Sequence, residues 1–155
     1  CVTHKREVIR YTDLMALSTQ TINIGPLDQP RCFTLSEARE LLPTVTKITK
    51  QAQSELDPFQ FKLRRMLIAD PRRKSVEARY ELVVRQWADK LRRLGLVVEG
   101  LWEVDFDTGE GYLSWHYPEI RIGHYREHYQ RFDQRRSLDE VIEELDPDWA
   151  HFSHK

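Results

Sequence analysis

From Leu35 onward the apolar residues recur at three- and four-residue steps, through Ala38, Leu41, Leu42, Val45, Ile48, Ala52 and Leu56. That is the repeat of an amphipathic helix with one face turned to a core. Its start is marked by Phe33-Thr34 with Glu37 three residues on, a capping box in which hydroxyl and carboxylate each accept a free amide. Pro43 lies inside the run, removes one helical hydrogen bond and predicts a kink. Asp57-Pro58 reads as a second helix start, and Asp70-Pro71 repeats the device. Beyond it Val76, Tyr80, Val83, Trp87, Leu91 and Leu94 alternate steps of four and three, a coiled-coil-like seam. Leu94-Gly95 closes that helix, with Arg92 and Arg93 in the last turn, where cations suit the helix dipole. Two long stripes joined by a short helical connector predict an antiparallel helical hairpin or part of a bundle.

Past Gly95 the period shortens. Residues 96 to 106 are rich in β-branched and aromatic side chains, residues 107 to 111 form a turn cluster, and Gly111 to Tyr117 alternates again, so a β-hairpin follows, its second strand ended by Pro118. Ser137 with Glu140 is another capping box, opening a short acidic helix through Leu145 that Asp146-Pro147 closes. Trp149 and Phe152 anchor the tail. Residues 1 to 32 show no sustained period and read as an N-terminal extension with a short strand or helix near residues 8 to 17. The expected fold is α+β and mainly helical: an extension over 1–32, then a single domain over 33–155 made of a long helical hairpin, a β-hairpin and a short C-terminal helix.

Composition narrows the function classes. The chain has 155 residues, 32% charged, with formal net charge −1, which argues against wholesale coating of nucleic acid. No apolar run approaches the length of a membrane span, and the start has no apolar signal region. The chain opens on Cys1 rather than Met, as a processed or truncated start would. Two cysteines, Cys1 and Cys32, argue against a structural disulfide and for a reducing, cytoplasmic setting. There is no glycine-rich phosphate loop, serine elbow or paired CxxC.

Four stretches together resemble a bacterial family of uncharacterised proteins, domain of unknown function 2203: Phe33-Thr34 through Glu37-Ala38 to Leu41-Leu42-Pro43; the Leu94-Gly95 helix end; Gly100-Leu101 with Val104-Asp105-Phe106; and Trp115 through Pro118-Glu119-Ile120 to His124. The likeness spans about residues 33 to 136. Gly123 stands where the family has Trp, and Tyr125 to Asp133 departs from its text, with Phe132 and Arg135 the nearest matches. The resemblance implies a helical hairpin followed by a β-hairpin and carries no activity and no catalytic assignment.

The densest chemistry lies in Trp115 to His128. His124-Tyr125-Arg126-Glu127-His128 fits the H-x-x-E-H pattern, which on a helix puts two imidazoles on one face with Glu127 as base. More loosely, His116, Glu119, His124 and His128 could converge on zinc or another divalent transition metal. The competing reading gives Glu119 to an arginine, Arg121 or Arg135, and leaves a polar ligand site around Trp115, Glu119, His124 and Arg135. Arg121, Arg126, Arg131, Arg135 and Arg136, interleaved with Tyr125, Tyr129 and Phe132, have a composition suited to phosphate contact and base stacking, although the acids of Asp139 to Asp148 nearly balance them. A second basic cluster, Arg64-Arg65 and Arg72-Arg73-Lys74, marks the helical connector. The expectation is a small, self-associating binding or scaffold protein, a homodimer with its ligand site at the β-hairpin exit. A metal-dependent enzyme and a nucleic-acid or phosphate binder through 117–136 are the alternatives, and no cofactor is firmly expected.

Overall fold

The computed structural model describes residues 31–151. The element expected near residues 8 to 17 and the anchor Phe152 lie outside that range. Helix α1 (Leu35–Arg65) opens with the expected capping box: Glu37 N–H donates to Thr34 Oγ1 at 3.1 Å and Thr34 N–H to Glu37 Oε1 at 3.0 Å. Phe33, just before the cap, donates its amide to the Asp107 carbonyl at 2.7 Å. Its ring meets Phe106 edge-on at 5.4 Å, so the helix entry is tied to the sheet. α1 continues through both Pro43 and Pro58, and the second start expected at Asp57 is not used. Pro58 is exposed, while the stripe Val45, Thr49, Ala52 and Leu56 between the two prolines stays buried on the inner face.

Helix α2 (Arg73–Arg93) packs antiparallel to α1. Asp70 does not cap it. Arg72 is the N-cap residue and makes no side-chain cap bond, while Asp70 accepts the Arg72 amide at 2.9 Å. Of the predicted seam, Trp87 and Leu91 are buried and Tyr80, Val83 and Leu94 pack at the margin, with Val84 and Ala88 completing the inner face. The Trp87 indole donates to Thr49 Oγ1 at 2.8 Å, joining the helices inside the core. All of this burial lies in the half of the hairpin next to the sheet. From Asp57 to Val83 no residue is buried, so the far half projects as a two-helix arm.

The expected β-hairpin is the centre of a five-stranded antiparallel meander in the order β1-β2-β3-β4-β5: Val97–Gly100, Glu103–Asp107, Gly111–His116, His124–Glu127 and Arg136–Ser137. The apolar run from residue 96 to 106 is two strands because a turn at Leu101-Trp102, with Trp102 at φ 68°, folds it onto itself. Val98, Val104, Phe106, Leu113, Trp115 and Tyr125 face the helices and form the core with them. Helix α3 (Leu138–Leu145) adds Leu138 and Val141. It ends at Asp146 in the left-handed region, and Trp149 stacks on Tyr125 at 5.2 Å. Ser137 makes no side-chain cap, because it is already a strand residue paired with His124. Cys32 is disulfide-bonded, a correction to the expected free thiol. Spacing alone does not show which thiols come within reach; the other cysteine lies outside the described residues, and the inference of a reducing compartment loses this support.

Candidate functional site

Alternation along the strands decides what lies on the other face of the sheet. When Val104, Phe106, Leu113, Trp115 and Tyr125 point to the helices, Glu103, Asp105, Asp107, Ser114, His116, His124 and Arg126 point away from them. Such a face on an antiparallel sheet is ordinarily washed by solvent. Here Asp105 and Ser114 are 0% exposed, Asp107 1% and Arg126 3%. Among the described residues it is the segment after β4 that folds back here: Arg126 donates to the Gln130 carbonyl, and its guanidinium lies 5.9 Å from the Phe132 ring and 4.5 Å from Tyr112.

At the centre, Asp105 and Arg126 form a buried ion pair. Ser114 Oγ donates to Asp105 Oδ1 at 2.6 Å, and Glu99 Oε2 lies 3.4 Å from the Arg126 guanidinium. Burial pushes the Asp105 carboxyl above the usual carboxylate range, with Arg126 and Ser114 pulling the other way. Burial also works against the Arg126 charge, but the carboxylates of Asp105 and Glu99 outweigh it and raise the guanidinium further. A buried pair of this kind recovers little net stability over an apolar replacement, because both charges must be stripped of water. A perturbed acid beside a specific charge partner is a mark of functional sites. Two residues along β2, His128 Nε2 sits 2.9 Å from Asp107 Oδ1, with its ring 4.7 Å from Tyr112.

The rim of this face is the turn from β3 to β4. The Tyr117-Pro118 peptide is cis, and the Glu119 amide closes on the His116 carbonyl at 2.7 Å. This brings the Glu119 carboxylate over the end of β3, where Oε1 accepts the His116 amide at 2.9 Å. Arg135 forks onto the same carboxylate at 3.3 and 3.0 Å and lies 4.5 Å over Phe132. The buried Trp115 indole donates to the Glu119 carbonyl at 2.9 Å and fixes the turn from the core side. His124 Nδ1 lies 3.9 Å from Glu119 Oε2 and has no hydrogen-bond partner.

The four residues expected at the ligand site, Trp115, Glu119, His124 and Arg135, therefore lie together at Glu119, with Arg135 on its carboxylate, His124 beside it and Trp115 on its carbonyl. The tetrad His116, Glu119, His124 and His128 does not meet. His128 is on Asp107, and among the described residues no group of three or more His, Cys, Asp and Glu is placed to hold a metal. The H-x-x-E-H geometry fails because residues 124 to 127 are a strand. A strand carries Glu127 to the face opposite His124 and spreads positions i and i+4 well beyond a shared ligand. The arginines of 117–136 are mostly engaged: Arg126 with Asp105, Arg131 with Asp133, Arg135 with Glu119 and Arg136 with Glu144, while Arg121 is exposed. Asp105, Ser114 and Glu99 went unassigned in the sequence. The signal for Asp105 and Ser114 was the alternation of Glu103-Val104-Asp105-Phe106-Asp107 with Tyr112-Leu113-Ser114-Trp115-His116, which puts polar residues at every second place on one face; Glu99 sits at an irregularity of β1 and had none.

The family model described as uncharacterised conserved protein DUF2203 matches residues 31–138. No curated protein and no solved structure matches the chain.

Proposed function

The chain belongs to the uncharacterised conserved protein family DUF2203, and we propose that it is a binding protein whose site is the polar face of the sheet, entered beside Glu119, His124 and Arg135. The observation that carries this reading is a pair of buried polar atoms on one face of one strand. His124 Nδ1 and Arg126 Nε both lie at this face without a hydrogen-bond partner, two residues apart on β4. Buried polar atoms are nearly always satisfied, and two open ones on one face suit a ligand rather than a scaffold. With a guanidinium N–H open on Arg126 and a second arginine at the rim, the ligand is a small polar molecule that brings acceptor oxygens, a carboxylate or a phosphate. The rim carboxylate of Glu119 supplies the opposite preference and orients the ligand's donor end.

This reading ranks ahead of a metal-dependent enzyme because Glu119 already receives Arg135. Thermal-shift titration of the purified full chain with small carboxylates and phosphates tests it. At least one such compound should raise the melting temperature, and the His124→Ala and Arg135→Met variants should lose the shift. A panel with no response, or a response both variants retain, removes the proposal.

Self-association belongs to the same reading. The arm from Asp57 to Val83 has no buried residue, and Phe61 and Leu82 on its two helices are 55% and 47% exposed. A second copy would cover them in a two-fold pair. Sedimentation velocity should show twice the chain mass at micromolar concentration, and a single species at the 18.5 kDa of one chain would refute the dimer.

A further inference from the structure

The far end of the hairpin is used neither by the core nor by the polar face. Between Lys62 and Lys74 the chain carries Lys62, Arg64, Arg65, Arg72, Arg73 and Lys74 against one acid, Asp70, in a protein of formal net charge −1. Between the two basic runs stand Leu67 and Ile68, 77% and 88% exposed. Scattered apolar residues on a surface need no explanation, but this turn is tied so as to hold these two outward. Asp70 accepts the Arg72 amide and takes the Arg72 guanidinium at 3.1 and 2.8 Å. Arg73 reaches back from the start of α2 to the carbonyls of Leu63 and Met66, at 3.1 and 3.2 Å, which the end of α1 would otherwise leave open. The amides of Asp70 and Arg73 close on the carbonyls of Leu67 and Asp70, both at 3.0 Å. These bonds fix the backbone of the turn on which Leu67 and Ile68 stand exposed. The one acid of the apex is spent on Arg72, whereas Lys62, Arg64, Arg65 and Lys74 stand exposed around the aliphatic pair.

We propose that this apex docks on an anionic phospholipid surface. Leu67 and Ile68 enter the boundary between head groups and acyl chains, and the surrounding arginines and lysines meet the lipid phosphates. Nucleic acid would engage the cations but leave two aliphatic side chains in water. A protein partner of ordinary surface would cover the aliphatics without calling for a ring of positive charge. A bilayer offers both chemistries in one plane. The contact is peripheral, since among the described residues no helix is long and apolar enough to cross a membrane. It uses no residue of the polar face, so it stands or falls separately from the ligand site proposed there.

Co-sedimentation of the full chain with phosphatidylcholine vesicles, with and without phosphatidylglycerol, tests it. The protein should pellet with the anionic vesicles alone, and less as salt rises. The L67S/I68S double variant should bind about tenfold more weakly or worse, from the lost burial of two side chains. Its circular dichroism and melting temperature should be unchanged, because both positions are exposed. No pelleting with anionic vesicles at low salt, or equal pelleting by the variant, overturns the proposal. Binding to nucleic acid without binding to vesicles overturns it in favour of a nucleic-acid contact. An L67S/I68S variant that turns a dimer into a monomer, with no vesicle binding by either form, overturns it in favour of a second copy.

Discussion

Arg126 shows how little a residue's type says about its work. In the sequence it is one of five arginines in a basic, aromatic stretch, and the natural reading is phosphate contact. The register places it opposite Tyr112 and diagonal to the Asp105–Ser114 pair on the same face, where it is the buried counter-charge of an acid. Removing it strands that acid, so Arg126→Met should destabilise the fold by about 3–5 kcal/mol, whereas replacing both partners by apolar residues should cost less than either single change. Urea unfolding of the two single variants and the double variant measures this. The pH dependence has a definite sign. Asp105 has its carboxyl raised by burial, so the native state keeps the proton over a window in which the unfolded chain has lost it. Its contribution to stability therefore falls as pH rises above the ordinary carboxylate value of about 4. Without Arg126 the carboxyl is raised further, and Arg126→Met should lose more stability at pH 7 than at pH 4. An equal loss at both pH values would contradict the account.

Among the elements, the two long helices were legible because each repeats its apolar step over many turns, and a capping box fixed the start of the first. Their boundaries were less so. Asp57-Pro58 carries every local sign of a helix start, yet the helix runs on through it, its buried stripe ending just before at Leu56, at the cost of one lost hydrogen bond. Strand β4 was illegible for the opposite reason. Four residues, His124 to Glu127, carry a period too short to recognise, and they form a strand only because β3 offers its free edge. The face shared by Asp105 and Ser114 could have been drawn from alternation, but its burial could not, since that depends on where the chain after β4 returns. Two element-scale outcomes follow. Thr34→Ala removes the capping box and should cost about 1 kcal/mol in chemical unfolding. Thr49→Val leaves the Trp87 indole N–H unsatisfied in the core and should cost about 1–3 kcal/mol, with a shift in tryptophan fluorescence. At the connector, the Arg72 side chain holds the Asp70 carboxyl down at about 2. Carbon-detected NMR titration should find it there, and raised part of the way back in Arg72→Ala, where the backbone amide of residue 72 still donates to it.

The whole molecule separates its tasks by location. The hairpin half beside the sheet makes the core, the far half makes an exposed arm, and the sheet gives one face to the core and the other to a buried polar layer. The histidine-rich segment, which looks most like chemistry in the sequence, is divided by this plan. His124 stays at the rim with Glu119 and Arg135, while His128 goes to Asp107 at the other end of the face. The most direct test is amide and side-chain NMR of the full chain during titration with a carboxylate or phosphate ligand identified by thermal shift. Saturable shifts should centre on Ser114, Glu119, His124, Arg126 and Arg135. Shifts confined to the helical arm, or none at the polar face at saturating ligand, would contradict this prediction.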